Sequence, residues 1–79
     1  MSTIDLLATL TCKDQPGIVH AMTTAVLNSS GNIIENQQFT DPITNFFVMR
    51  TRFETNESID LAKQSIQALT SKFSPIISI

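Results

Sequence analysis

The sequence predicts an α+β fold, a four-stranded antiparallel sheet with two helices on one face. Three observations predict it. Apolar and polar residues alternate from Ile4 to Lys13 and again from Phe46 to Glu54, the period of strands buried on one side. From Ile18 to Val26 and from Ile59 to Phe73, apolar residues recur at helical spacing instead. The resulting order, β-α-β-β-α-β, makes one sheet with both helices on a single side.

Each element has its own signal. In the first strand Ile4, Leu6, Ala8, Leu10 and Cys12 form the inward register, against Asp5, Thr9, Thr11 and Lys13. A corner follows, Asp14-Gln15-Pro16-Gly17. Pro16 suits a first helical position, where its missing N–H leaves nothing unpaired. Gly17 lets a group approach the first helical turn closely. The first helix is expected from about Pro16 to Ser30, with Gly31 as its left-handed stop. Asn32 to Asp41 opens with Ile33 and Ile34 and then turns polar at Glu35-Asn36-Gln37-Gln38, a composition that suits a sheet edge.

The segment Asp41-Pro42-Ile43-Thr44-Asn45 carries turn chemistry. In the strand after it, Phe47, Met49 and Phe53 point one way while Val48, Arg50 and Arg52 point the other. Thr55-Asn56-Glu57-Ser58 offers caps for the second helix, whose buried face is Ile59, Ala62, Ile66, Leu69 and Phe73. Pro75 ends that helix, and Ile76-Ile77-Ser78-Ile79 begins a last strand. The strongly patterned first and third strands belong at the centre.

With 79 residues there is room for one domain, 1–79. A core of that size is marginal, and association with another copy or with more chain is the expected remedy. A strand that stops on Ile79 without a polar tail reads as part of a longer polypeptide. One cysteine, and no apolar leader segment, point to a reducing, cytoplasmic setting. Asn28-Ser29-Ser30 and Asn56-Glu57-Ser58 match glycosylation sequons, which carry weight only in a secreted chain. No apolar run approaches a bilayer span, so no membrane partner is expected.

The formal charge is −2 and the five basic residues do not cluster, which speaks against nucleic acid as a partner. Catalysis needs an acid, base or nucleophile beside an orienting partner. His20 is the one histidine, and it reads as a surface or interface residue. Cys12 shares the core register, where a thiol is inert. One histidine and one cysteine cannot make a structural zinc site, and no metal or cofactor is expected. Acylphosphatases share the element order but need a first-loop arginine, and copper carriers need Cys-x-x-Cys. Lys13-Asp14-Gln15-Pro16 supplies neither. The chain alone is expected to have no catalytic activity.

The corner is the candidate site. A helix start presents free N–H groups and a partial positive charge, which suit a carboxylate or phosphate. Leu6 to Cys12, Asp14-Gln15-Pro16-Gly17 and Gly31-Asn32-Ile33 together resemble the ACT domain, a ferredoxin-like amino-acid-sensing module. A narrower likeness lies in Gln37-Gln38-Phe39-Thr40-Asp41-Pro42 and Phe46-Phe47-Val48-Met49-Arg50, which is similar to the N-terminal domain of 10-formyltetrahydrofolate deformylases. Phe39 stands where those relatives often carry His.

That resemblance implies a regulatory domain of an enzyme that hydrolyses 10-formyltetrahydrofolate to tetrahydrofolate and formate, supporting purine synthesis. It implies that the chemistry sits in a separate catalytic domain of the parent chain. It further implies a homodimer and a small amino-acid ligand, glycine or methionine, bound where the first loop of one copy meets the second strand of another. On this sequence the ligand residues are then Asp14, Gln15, Gly17, Ile18, Asn32 and Asn36. Gly17 and Ile18 would hold the carboxylate through their N–H groups, and Asp14 the ammonium. Asn32 or Asn36 of a neighbouring copy would close the site. Arg50 and Arg52 are rival carboxylate contacts. Two alternatives stay open: a stand-alone regulator that binds another protein, and a purely structural dimerisation module.

Overall fold

The computed structural model describes residues 3–79. The first strand, β1 (Ile4–Lys13), leads through the corner into α1 (Ile18–Asn28). Then come β2 (Gly31–Thr40), β3 (Phe46–Thr55), α2 (Ile59–Thr70), one 3₁₀ turn over Ser71–Phe73, and β4 (Ile76–Ser78). The sheet order is β2-β3-β1-β4 with every pair antiparallel. The weakly apolar second strand is therefore an edge, and the two strongly alternating strands are central, as the sequence predicts.

Alternation decides which face is covered. Leu6, Ala8, Leu10 and Cys12 of β1 meet Phe53, Thr51, Met49 and Phe47 of β3 across the ladder, and all eight are buried. Ile18, Met22, Ala25 and Val26 of α1 and Ala62 and Ile66 of α2 complete that core. Small residues let the helices approach: the Ser65 hydroxyl of α2 donates to the Ala25 carbonyl of α1 at 2.9 Å. Four buried hydroxyl residues, Ser29, Thr51, Thr55 and Thr70, all find acceptors. Their burial therefore leaves no polar group unmatched. Among the described residues no helix lies over the other face of the sheet.

Two expectations about α1 are corrected. The helix does not begin at Pro16. Its first bond runs from the Ala21 N–H to the Gly17 carbonyl at 3.0 Å, and Gly17 caps it with φ +92°. Pro16 sits in the turn before it. Nor is Gly31 the left-handed stop, since Ser30 takes that conformation at φ 58°. Gly31 is needed because a Cβ there would lie 2.6 Å from Val26 Cγ1 and 2.8 Å from the Val26 carbonyl oxygen. It also opens β2, one residue earlier than expected.

A bulge interrupts the β2–β3 register between Ile33 and Glu35. Residues on the two sides of it change face. Gly31 and Ile33, then Asn36, Gln38 and Thr40, pair with helix-side residues of β3. Asn32, Glu35, Gln37 and Phe39 share the open side. The outer edge of β2 has no partner strand among the described residues.

Candidate functional site

The corner is held rigidly on both sides. The Asp14 N–H donates to the Asn45 carbonyl at 2.9 Å, which fastens the β1–α1 connection to the β2–β3 turn. Gln15 turns back on the strand, its Nε2 donating to the Lys13 carbonyl at 3.0 Å. Gly17 supplies the left-handed residue that swings the chain into α1, and Phe73 Cζ lies 3.8 Å from where its Cβ would be. Ile18 buries its side chain in the core, so only its backbone faces the corner.

With the first helical bond starting at Ala21, the N–H groups of Ile18, Val19 and His20 have no intrahelical acceptor. No side chain caps them, and the first turn carries no acidic residue. Asp14 is exposed, and its carboxylate accepts no hydrogen bond from the described residues. A helix start without a side-chain cap, beside a free carboxylate, can take both charges of a zwitterion.

The structure groups Asp14, Gln15, Gly17 and Ile18 and separates them from the two asparagines. The corner lies at the end of the sheet where Lys13 pairs with Phe46. Asn36 pairs with Thr51, about 17 Å away along β3, and Asn32 pairs with Glu54, about 27 Å away. The bulge puts these two asparagines on opposite faces. Asn36 is also engaged, its Oδ1 accepting from the Thr51 hydroxyl at 3.2 Å. Within one chain neither can complete the corner.

The rival arginines separate as well. Arg52 grips Asp5 through three bonds, Nη2 to Oδ2 at 2.6 Å and Nε to both oxygens at 3.1 and 3.2 Å. That bidentate pair holds the Asp5 carboxyl below its ordinary value and raises Arg52. Arg50 makes no ion pair among the described residues. The sequence does not distinguish them, because only the register of β1 on β3 decides which arginine meets Asp5.

Cys12 is a free, buried thiol pushed up by burial first and by the Asp14 charge second. His20 is exposed on α1. Among the described residues no three His, Cys, Asp or Glu side chains gather as metal ligands, and no helix is long and apolar enough to cross a membrane. Two surface depressions, of about 340 and 330 Å³, lie away from the corner. One is at the 3₁₀ turn, lined by Gln67, Ser71, Ser74, Pro75 and Ile77. The other, lined by Gln37, Gln38, Phe39, Val48 and Arg50, has no counterpart among the sequence-derived candidates as a set.

No protein-family model and no curated protein matches the chain. Solved structures do. A formyltetrahydrofolate deformylase from Burkholderia mallei superposes with a TM-score of 0.85 over 94% of this chain at 19% identity. The match covers 27% of that protein, so the chain spans about a quarter of its length. An ACT domain protein from Streptococcus pneumoniae matches with a TM-score of 0.75 at 20% identity, over 94% of this chain and 84% of that one. The regulatory subunit of aspartate kinase from Thermus thermophilus matches at 0.64 and 14%, over 98% and 55%. The fold is that of an ACT domain, a ferredoxin-like β-α-β-β-α-β sandwich.

Proposed function

We propose that this chain is a regulatory domain that senses a small amino acid on behalf of a formyltetrahydrofolate deformylase. The observation that carries the sensing role is the corner, where unpaired N–H groups of α1 lie beside the free Asp14 carboxylate. The deformylase assignment rests on the shape shared with the Burkholderia mallei enzyme and on the run from Gln37 to Arg50. Hydrolysis of 10-formyltetrahydrofolate then belongs to a catalytic domain elsewhere in the parent chain. The domain's own contribution is to report glycine or methionine to it, in the cytoplasm, where the single thiol stays reduced.

In this reading the ligand carboxylate sits on the N–H groups of Gly17 and Ile18, with Gln15 beside it, and the ammonium sits on Asp14. A second copy completes the site. Antiparallel pairing of two β2 edges centred on Asn36 sets Asn32 of one copy opposite Thr40 of the other. That brings a distant asparagine to the corner end of the sheet. The same pairing satisfies the free backbone groups of a ten-residue edge.

The test is a thermal-shift titration with glycine, methionine and serine, on the wild-type chain and on Asp14→Ala. A saturable rise in Tm that disappears in Asp14→Ala supports the assignment. Flat curves with all three amino acids favour a purely structural dimerisation module, and a response that survives the substitution removes Asp14 from the site.

A second reading, a stand-alone regulator acting on another protein, is favoured by the Streptococcus pneumoniae ACT domain protein, of which this chain spans 84%. The mass of the native protein in its source cell separates the two readings.

A further inference from the structure

The open face of the sheet carries two neighbouring cross-strand rows of opposite character. One is mostly apolar: Phe39, Val48, Thr11 and Ile76 align from β2 through β3 and β1 to β4. Phe39 is 62% exposed and Ile76 73%. The next row is polar and contains Gln37 opposite Arg50. Between the rows lies a depression of about 330 Å³, within the size range of small-molecule sites. Three of the five phenylalanines are buried in the core, while Phe39 and Phe46 are left on this face.

We propose that this depression is a second ligand site, for a carboxylate with a planar apolar body and no amine. Arg50 takes the carboxylate in a bidentate pair, Gln37 adds a hydrogen bond, and the body lies over Phe39 and Val48. The charges on the face select this class. Asp5 is occupied by Arg52, and Glu35 stands opposite Arg52 rather than Arg50. Arg50's own cross-strand row, Gln37, Thr9 and Ser78, therefore offers an ammonium no carboxylate, whereas at the corner Asp14 provides one.

A second copy is a poorer occupant. Its carboxylates on this face, Asp5, Glu35 and Glu54, lie toward the end remote from the apolar row. Overlapping two apolar rows about a twofold axis brings none of them to Arg50. The proposal stands apart from the amino-acid reading of the corner, and either can fail alone.

Amide chemical-shift mapping with 3-phenylpropionate tests it, with 3-phenylpropanamide as the uncharged control. The expected result is saturable shifts at Gln37, Phe39, Val48 and Arg50 with the acid alone. Arg50→Gln weakens the acid about tenfold or more, the scale of a lost charged hydrogen bond, and Arg52→Gln leaves it unchanged. If Arg50→Gln loses its dispersed spectrum, Arg50→Lys, which keeps the charge but not the fork, makes the same comparison. No saturable shift, an equal response to the amide, or full binding by the Arg50 variant overturns the proposal. Shifts that follow protein concentration instead of probe assign the face to a second copy and overturn it too.

Discussion

The Asp14 N–H donates to the carbonyl of Asn45 at 2.9 Å, so the corner before α1 is braced by the turn between β2 and β3. That turn is itself tightly made. The Asn45 N–H donates to the Asp41 carbonyl at 2.8 Å, and the Ile43 N–H donates to the Asp41 carboxylate at 2.9 Å. Asn45 sits at φ 60°, where asparagine is better tolerated than other non-glycine residues. Asn45→Ala is expected to cost about 1 kcal/mol in urea unfolding, and Asn45→Gly only a few tenths. Ligand affinity at the corner is expected to fall with the alanine variant, because the brace on Asp14 loosens.

The two glycines are expected to fail for different reasons and by different amounts. In Gly31→Ala the new methyl meets Val26 at 2.6 Å, with Phe53 Cδ2 at 3.1 Å, and part of that contact is unyielding backbone. A loss of about 2–3 kcal/mol follows from overpacking. Gly17→Ala has open space, with Phe73 at 3.8 Å, but forces alanine to φ +92°. About 1–2 kcal/mol is expected there. Equilibrium urea unfolding of both variants gives the order.

Acid should loosen the strand pair before it unfolds the domain. Asp5 has a folded value below the ordinary carboxylate, held there chiefly by its hydrogen bonds from Arg52. Asp41 is lowered as well, first by the Ile43 N–H and then by the Thr44 hydroxyl. Groups with depressed folded values contribute stability that is present above the unfolded value, about 4, and lost as pH falls through the folded one. Asp5 is exposed and Asp41 only partly buried, so the effect is small and screened by salt. In unfolding curves from pH 6 to pH 2, Asp5→Asn is expected to show a shallower acid slope than the wild type.

Cys12 should be slow to alkylate. Its thiol is 2% exposed, and both burial and the Asp14 charge keep it protonated at neutral pH. Iodoacetamide labelling is expected to be slow in the native chain and fast in urea. Rapid native labelling would show that the β1 end of the core opens.

Much of the fold is legible in the sequence because burial on one face writes itself as alternation. Leu6, Ala8, Leu10 and Cys12 mark β1 as central, and the polar run Glu35-Asn36-Gln37-Gln38 marks β2 as an edge. What escapes is whatever depends on contacts between elements. A glycine after a helix reads as its left-handed stop, yet Gly31 answers to Val26 and Phe53, and Ser30 makes the stop. The bulge after Ile33 lies in a stretch with little apolar alternation to betray a change of phase, so Asn32 and Asn36 read as interchangeable in the sequence although they face opposite ways. The four corner residues are legible together because they lie within five positions of the chain, 14–18. Arg50 and Arg52 look alike until the partner strand supplies Asp5 to one of them.

We propose that the corner binds an amino acid through the first turn of α1 and Asp14. Amide chemical-shift mapping of the labelled chain with glycine tests it most directly. Saturable shifts are expected at Asp14, Gly17 and Ile18, with a second set in β2, and their loss in Asp14→Ala. Glycine that leaves Gly17 and Ile18 unmoved, or that shifts them equally in Asp14→Ala, would contradict it.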